Sequence, residues 1–136
     1  MRRLILLTAL VTAAVAVPVV WAGSPHFVGT PTVTRSGNSL TVSGKEAGLG
    51  NETQVEIQIS VQAACLNRGE NFPQAANKQT FTQTGTFPVQ NGKADFTLTV
   101  TATFQPHCTP PMTVVFGDVT VTDLSHGVTT TIPGTF

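Results

Sequence analysis

Three histidines, two cysteines and seven carboxylates are the side chains here with the most chemical reach. His26 stands near the start of the expected mature chain, a place where copper sites are built. A copper brace needs histidine as the first residue, and cleavage after Ala22 (argued below) makes His26 the fourth. Cleavage one residue later makes it third, behind Ser24-Pro25. The square-planar amino-terminal motif then needs a deprotonated amide at position two, which Pro25 lacks. His107 adjoins Cys108, a pairing that matters only if Cys108 is a free thiolate. His126 lies in Leu124-Ser125-His126-Gly127 and reads as a solvated turn residue. There is no G-x-S-x-G elbow for a serine hydrolase.

A glycosidase needs two carboxyls facing each other across a cleft. Most of Glu46, Glu52, Glu56, Glu70, Asp95, Asp118 and Asp123 fall on expected outer faces or loops. Asp118 and Asp123 could share one strand end, but two acids are far short of the roughly six to eight oxygens calcium takes. Two cysteines with scattered histidines make no zinc ligand cluster. The expectation is no catalytic residue, no metal site and no cofactor. Asn51-Glu52-Thr53 is a glycosylation sequon, which matters only in a eukaryotic secretory host.

The segment before Gly23 has its own character. Met1-Arg2-Arg3 is basic, Leu4 to Val20 is mostly apolar, and Val20-Trp21-Ala22 puts small residues at −3 and −1. That is the layout of a signal peptide over residues 1–22, cleaved after Ala22. At roughly 17–20 residues the stretch could also anchor in a membrane, but Pro18 and the small-residue exit favour cleavage. The expected mature domain, 23–136, keeps five Lys/Arg against seven Asp/Glu. A net charge near −2 argues against nucleic acid, which requires a basic footprint. With the signal removed, no membrane contact is expected, and the place of action is extracellular or the cell envelope. Cys65 and Cys108 both lie in the exported part, so one disulfide between them is expected.

The elements that must position these groups are strands. Apolar residues recur at period two, in a chain rich in Thr and Val and punctuated by Gly, Pro and Asn. Seven segments follow: about 27–35, 39–44, 53–64, 80–89, 93–104, 112–123 and 128–136. Pro25 and Pro31 put the first at an edge. In the third, Val55, Ile57, Ile59, Val61 and Ala63 share one face and polar residues the other. Asn91-Gly92 is the strongest short hairpin signal, suited to a type I′ turn. A ladder centred on it sets Phe87 opposite Phe96 and Phe81 opposite Ala102, with Thr86, Thr84, Thr82 and Thr80 opposite Thr97, Thr99, Thr101 and Thr103. A phase change beside Gly117 suggests a β-bulge. The expected fold is all-β, a single immunoglobulin-like antiparallel β-sandwich of about seven strands. The buried Trp of antibody domains is absent.

His26-Phe27-x-Gly29-x-Pro31, Ser43-Gly44-Lys45-x-Ala47-Gly48-Leu49-Gly50-Asn51 and Cys65-x-Asn67-x-Gly69-x-Asn71 together resemble a group of small secreted β-sandwich proteins of high-GC soil bacteria. The likeness covers the first half of the mature chain, and the second half mainly through Cys108. It implies export, one domain and a β-fold, and it implies no activity or site residues.

Function is therefore expected to be that of a non-enzymatic binding or structural module. The alternatives are a small secreted hydrolase, in which Glu70 or His107 would act, and an inhibitor of a secreted enzyme. Binding usually sits on loops carried by rigid strands, here Glu46 to Asn51 and Leu66 to Asn77. Leu66, Asn67, Arg68, Asn71 and Phe72 are the candidate contacts, although Asn67, Gly69 and Asn71 could simply shape a turn. An extracellular protein or a cell-wall polymer is the expected kind of partner. The mature chain has no Tyr and no Trp, so it lacks the usual stacking platforms for sugars. The threonine face is a strand-favouring surface, or an array that binds ice or a crystalline polysaccharide.

Overall fold

The computed structural model describes residues 23–66 and 78–136. The expected signal peptide, and Asn67, Arg68, Glu70, Asn71 and Phe72, lie outside the described residues. The strands in chain order are β1 (His26–Phe27), β2 (Thr32–Ser36), β3 (Ser39–Ala47), β4 (Gln54–Leu66), β5 (Lys78–Pro88), β6 (Ala94–Thr101), β7 (Thr113–Asp123) and β8 (Val128–Ile132). They form an immunoglobulin-like sandwich of two antiparallel sheets. The expected first strand is interrupted at Gly29-Thr30-Pro31, so β1 and β2 share one edge of β3.

In the first sheet β3 pairs with β1 and β2 on one side and β6 on the other; the second sheet runs β5-β4-β7-β8. Alternating residues face inward from both sheets. Leu40, Val42, Phe96 and Val100 come from one; Ile57, Ile59, Val61, Phe116 and Val119 come from the other. On β7 the extra residue lies at Gly117-Asp118, because Val61 pairs with Val119 whereas Ala63 pairs with Phe116. The expected phase change beside Gly117 is this bulge.

The Asn91-Gly92 turn forms as expected, with φ of 53° and 74° and a Gln90–Lys93 bridge. The ladder expected beyond it does not form. β5 pairs along its length with β4, and β6 pairs with β3. Pro88, which has no N–H, stands where the predicted ladder needs a donor, and the Val89 amide donates to the Thr53 carbonyl instead. The two strands thus part into opposite sheets. Phe87 still meets Phe96, edge-on at 6.2 Å, and Phe81 meets Phe104 at 5.8 Å. The inward faces are the expected ones, but the contacts cross the core instead of a ladder. Gly85 belongs to this seam, since a Cβ there would come within 2.8 Å of Leu98 Cδ2.

The hydroxyl ladder is relocated with the strands. Thr97, Thr99 and Thr101 face Ser43, Thr41 and Ser39 of β3, with oxygen separations of 3.1, 2.9 and 2.8 Å. Beyond β3 the same rows continue to Thr32, Thr34 and Ser36 of β2. The outer face of this sheet is therefore a grid of Ser and Thr hydroxyls three strands wide, bounded at one end by the Lys45–Asp95 ion pair at 3.7 Å.

Cys65, the penultimate residue of β4, is bonded to Cys108 in the loop after β6. The expected pairing holds, and it removes Cys108 as a thiolate partner for His107.

Candidate functional site

The polar groups with the most constrained chemistry lie at the end of the sandwich opposite the disulfide. In β3 the inward line Leu40, Val42, Gly44 continues to Glu46. In β7 the inward line Val119, Val121 continues to Asp123. Both carboxyls are fully buried. One comes from each sheet, so packing the sheets brings them together.

The turn after β7 adds a third group. Asp123 Oδ1 accepts from the backbone N–H of Ser125 at 2.8 Å and of His126 at 3.1 Å. The Gly127 amide donates to the Asp123 carbonyl, and Gly127 takes the left-handed φ of 71° that closes the turn. Two bonds to Glu56 pin the turn to β4: Leu124 N–H donates to its carbonyl, and its own N–H donates to Ser125 Oγ. His126 is thereby held with Nδ1 2.6 Å from Asp123 Oδ2 and Nε2 2.8 Å from Glu52 Oε1. Glu52 is placed by the 48–53 loop, which is fastened by buried Leu49, whose amide donates to the Gly92 carbonyl.

Both ring nitrogens of His126 face carboxylates, which can only accept. The ring therefore carries two protons and a positive charge. Burial opposes that charge, but Asp123 and Glu52 outweigh it and hold the His126 pKa above its ordinary value. Burial likewise opposes ionisation of Asp123. The adjoining Glu46 carboxyl, the His126 ring and the Ser125 amide outweigh it, and Asp123 titrates below the usual range. Among the described residues, no salt bridge reaches Glu46. Desolvation, reinforced by the neighbouring Asp123 and Glu52, pushes it up to about 9. At neutral pH it keeps its proton, because an ionised carboxylate without partners is too costly to bury. Its two oxygens stop short of conventional hydrogen-bond geometry to any partner, as does Glu52 Oε2. The nearness of Asp123 nonetheless makes it the acceptor toward which the Glu46 proton is directed.

This cluster corrects the reading of His126 as a solvated turn residue and of Glu46 as a loop group. The expectation of scattered histidines fails for His126, whose ring lies with Glu46 and Asp123 such that one ligand atom from each falls within 4.8 Å of the others. The signal was available at Glu46 and Asp123, since each extends a period-two inward line by one step. Ending the second strand at Gly44 hid the first. The arrangement can hold a proton or a cation. It is poorly suited to glycoside cleavage, because both carboxyls are sealed in the protein instead of facing an open cleft.

The remaining candidates lie apart from it. His26 is exposed on β1, with Nδ1 donating to the Ser24 carbonyl at 2.7 Å. His107 is exposed in the disulfide loop. Asp118 accepts from the Gly134 amide at 2.9 Å and does not join Asp123. Leu66 ends β4 beside a shallow cleft of about 190 Å³ that it shares with Gln62, Lys78 and Val115. Of the other predicted loop, Glu46 and Ala47 belong to β3. Among the described residues, no helix is long and apolar enough to cross a membrane.

No family model matches the chain, and no curated protein matches it. Among solved structures, the solution structure of CsgH from R. palustris aligns over 81% of this chain and 92% of that one, at 12% identity and a TM-score of 0.39. A likeness at that distance carries no argument about function.

Proposed function

We propose that this chain is an exported, non-enzymatic module of the extracellular space or cell envelope, and that it works by binding through the outer face of its first sheet. The hydroxyl grid of β2, β3 and β6 is the observation that carries the reading. Its rows are set by strand registers, and its central row is Thr34, Thr41 and Thr99. Strands lie about 4.8 Å apart and same-face residues about 7 Å apart along each strand. Hydroxyls repeated on that spacing present donors and acceptors to a polymer with its own regular hydroxyls, such as a cell-wall polysaccharide. The Cys65–Cys108 bond supports export, because disulfides persist in oxidising compartments.

The test is sedimentation of the mature protein with insoluble cell wall, chitin and cellulose, with Thr99→Lys as control. Wild type is expected in the pellet and the variant in solution. Equal partitioning of the two proteins removes the grid from the function. A pull-down from culture supernatant distinguishes the inhibitor reading, which requires a protein partner in the eluate.

A further inference from the structure

We propose that Glu46, Asp123 and His126 form a binding site for a divalent first-row transition cation, with Glu52 as the residue that orients the histidine. The inference stands apart from whatever the outer faces bind.

The first observation is the ligand set. One ligand atom from each of the three residues lies within 4.8 Å of the others. Tetrahedral ligands about 2.0–2.2 Å from a metal lie about 3.3–3.6 Å apart, so the widest separation in the set closes by up to roughly 1.5 Å on binding. The second observation is independent of the first. Glu46 is fully buried, and among the described residues neither of its oxygens has a partner in conventional hydrogen-bond geometry; the nearby Asp123 carboxyl is only the group its proton faces. Two buried carboxyls that share one proton leave acceptor oxygens unsatisfied, and a cation in the proton's place would coordinate them. Glu46 lies on the inward line of β3, aimed into the cluster.

The remaining contacts have the form of a supporting shell. Two backbone amides occupy Asp123 Oδ1, leaving Oδ2 to ligate. Glu52 accepts from His126 Nε2. The two ring nitrogens diverge, so Glu52 cannot reach the cation that Nδ1 would hold. It acts instead as the carboxylate that fixes the ring and raises its basicity. The cation takes the place of the proton between Nδ1 and Oδ2, and these two atoms, now 2.6 Å apart, must open by roughly 0.7–1 Å to admit it. The exposed edges of His126 and Glu52 provide the way in: their side chains are 22% and 38% accessible. An imidazole with two carboxylates suits zinc and its neighbours; calcium and magnesium prefer all-oxygen sets of higher number.

The experiment uses the mature disulfide-bonded protein after chelator treatment and dialysis. ZnCl2 is titrated by calorimetry and thermal unfolding is followed, with CaCl2 and MgCl2 in parallel. The expected result is one zinc per chain. Zinc at about 100-fold excess over Kd should raise the melting temperature by about 10 °C. Glu46→Gln should weaken binding at least about tenfold while leaving the metal-free melting temperature equal or higher, which separates lost binding from lost folding. Glu52→Gln should weaken it about 10- to 100-fold, the range typical of outer-shell partners. The double variant His26→Asn/His107→Asn should bind as wild type does. The proposal is overturned if millimolar zinc produces neither heat nor a thermal shift. It is equally overturned if Glu46→Gln binds as tightly as wild type, if the His26/His107 variant loses the site, or if calcium binds in preference to zinc.

Discussion

Glu46 and Asp123 are each the last inward-facing residue of their strand, and they meet at one end of the sandwich from opposite sheets. Each takes a place where a valine or leucine would continue the core. The core line of both sheets therefore ends in a pair of carboxyls that must share a proton or a cation.

The first consequence is an inverted pH profile for the metal-free protein. Glu46 moves from its ordinary 4.5 to about 9 on folding, so between those values the native state keeps a proton that the unfolded chain releases. Its contribution makes stability fall as pH rises through that window, by up to about 1.4 kcal/mol per pH unit. His126 acts in the same direction: its stabilisation is complete below its ordinary value of 6.5 and is lost as pH climbs through its raised folded pKa. Asp123, held low, stabilises above its ordinary value of 3.8, and that contribution is lost in stronger acid. Calorimetry in chelator should place the highest melting temperature in weak acid, with a steady decline toward pH 9. Glu46→Gln should flatten the decline. A wild-type melting temperature that climbs between pH 5 and 8 would falsify the assignment.

Strand exchange at the Asn91-Gly92 turn can be tested by cross-linking. Ser43 and Thr97 are ladder partners with their oxygens 3.1 Å apart, whereas Thr86 pairs with Glu56. The double variant Ser43→Cys/Thr97→Cys should oxidise to a second intramolecular disulfide, and Thr86→Cys/Thr97→Cys should not. Peptide mapping under non-reducing conditions reads both. A bond between the two introduced thiols of the second variant would restore the simple hairpin and dissolve the two-sheet order.

Gly48 is required by close approach. It has φ of 77°, and a Cβ there would lie 2.1 Å from the Ser24 carbonyl oxygen. Gly48→Ala should cost about 2–4 kcal/mol in urea unfolding, from backbone strain together with displacement of the segment leading into β1. Gly117→Ala is the control: the nearest atom to its added Cβ is 3.7 Å away, and the backbone there is not left-handed. A loss within about 0.5 kcal/mol is expected for it. Equal losses at the two sites would mean that Ser24 does not constrain Gly48.

The Cys65–Cys108 bond joins residues 43 apart. The chain-entropy model assigns roughly 4 kcal/mol to a loop of that length, against about 5–15 kcal/mol for a whole domain. Cys65→Ser/Cys108→Ser should therefore melt about 10–20 °C lower. Because Cys65 lies beside the start of β7 and far from Asp123, the variant's hydrogen exchange should rise first around β4's end and 102–113. Earliest loss at the Glu46–Asp123 end would show that the bond does not support the pole where it sits.

Several features follow from residue order alone because they are local. The inward faces of β4, β6 and β7 come from period-two alternation, the bend at Gly117 from a broken phase, and the turn from two residues that tolerate positive φ. The disulfide needed no geometry, since there are only two cysteines. Which strands pair was decided by tertiary structure. A tight turn sets only the Gln90–Lys93 bridge, and whether the ladder continues depends on competing edges: β5 finds a long partner in β4, and β6 finds one in β3. The same holds for the site. Alternation continued by one step puts Glu46 and Asp123 on inward faces. Their meeting with each other and with His126 requires two sheets to pack face to face and a turn to fold back over their end. These contacts span 77 and 80 residues of chain, distances at which local pattern carries no information about proximity.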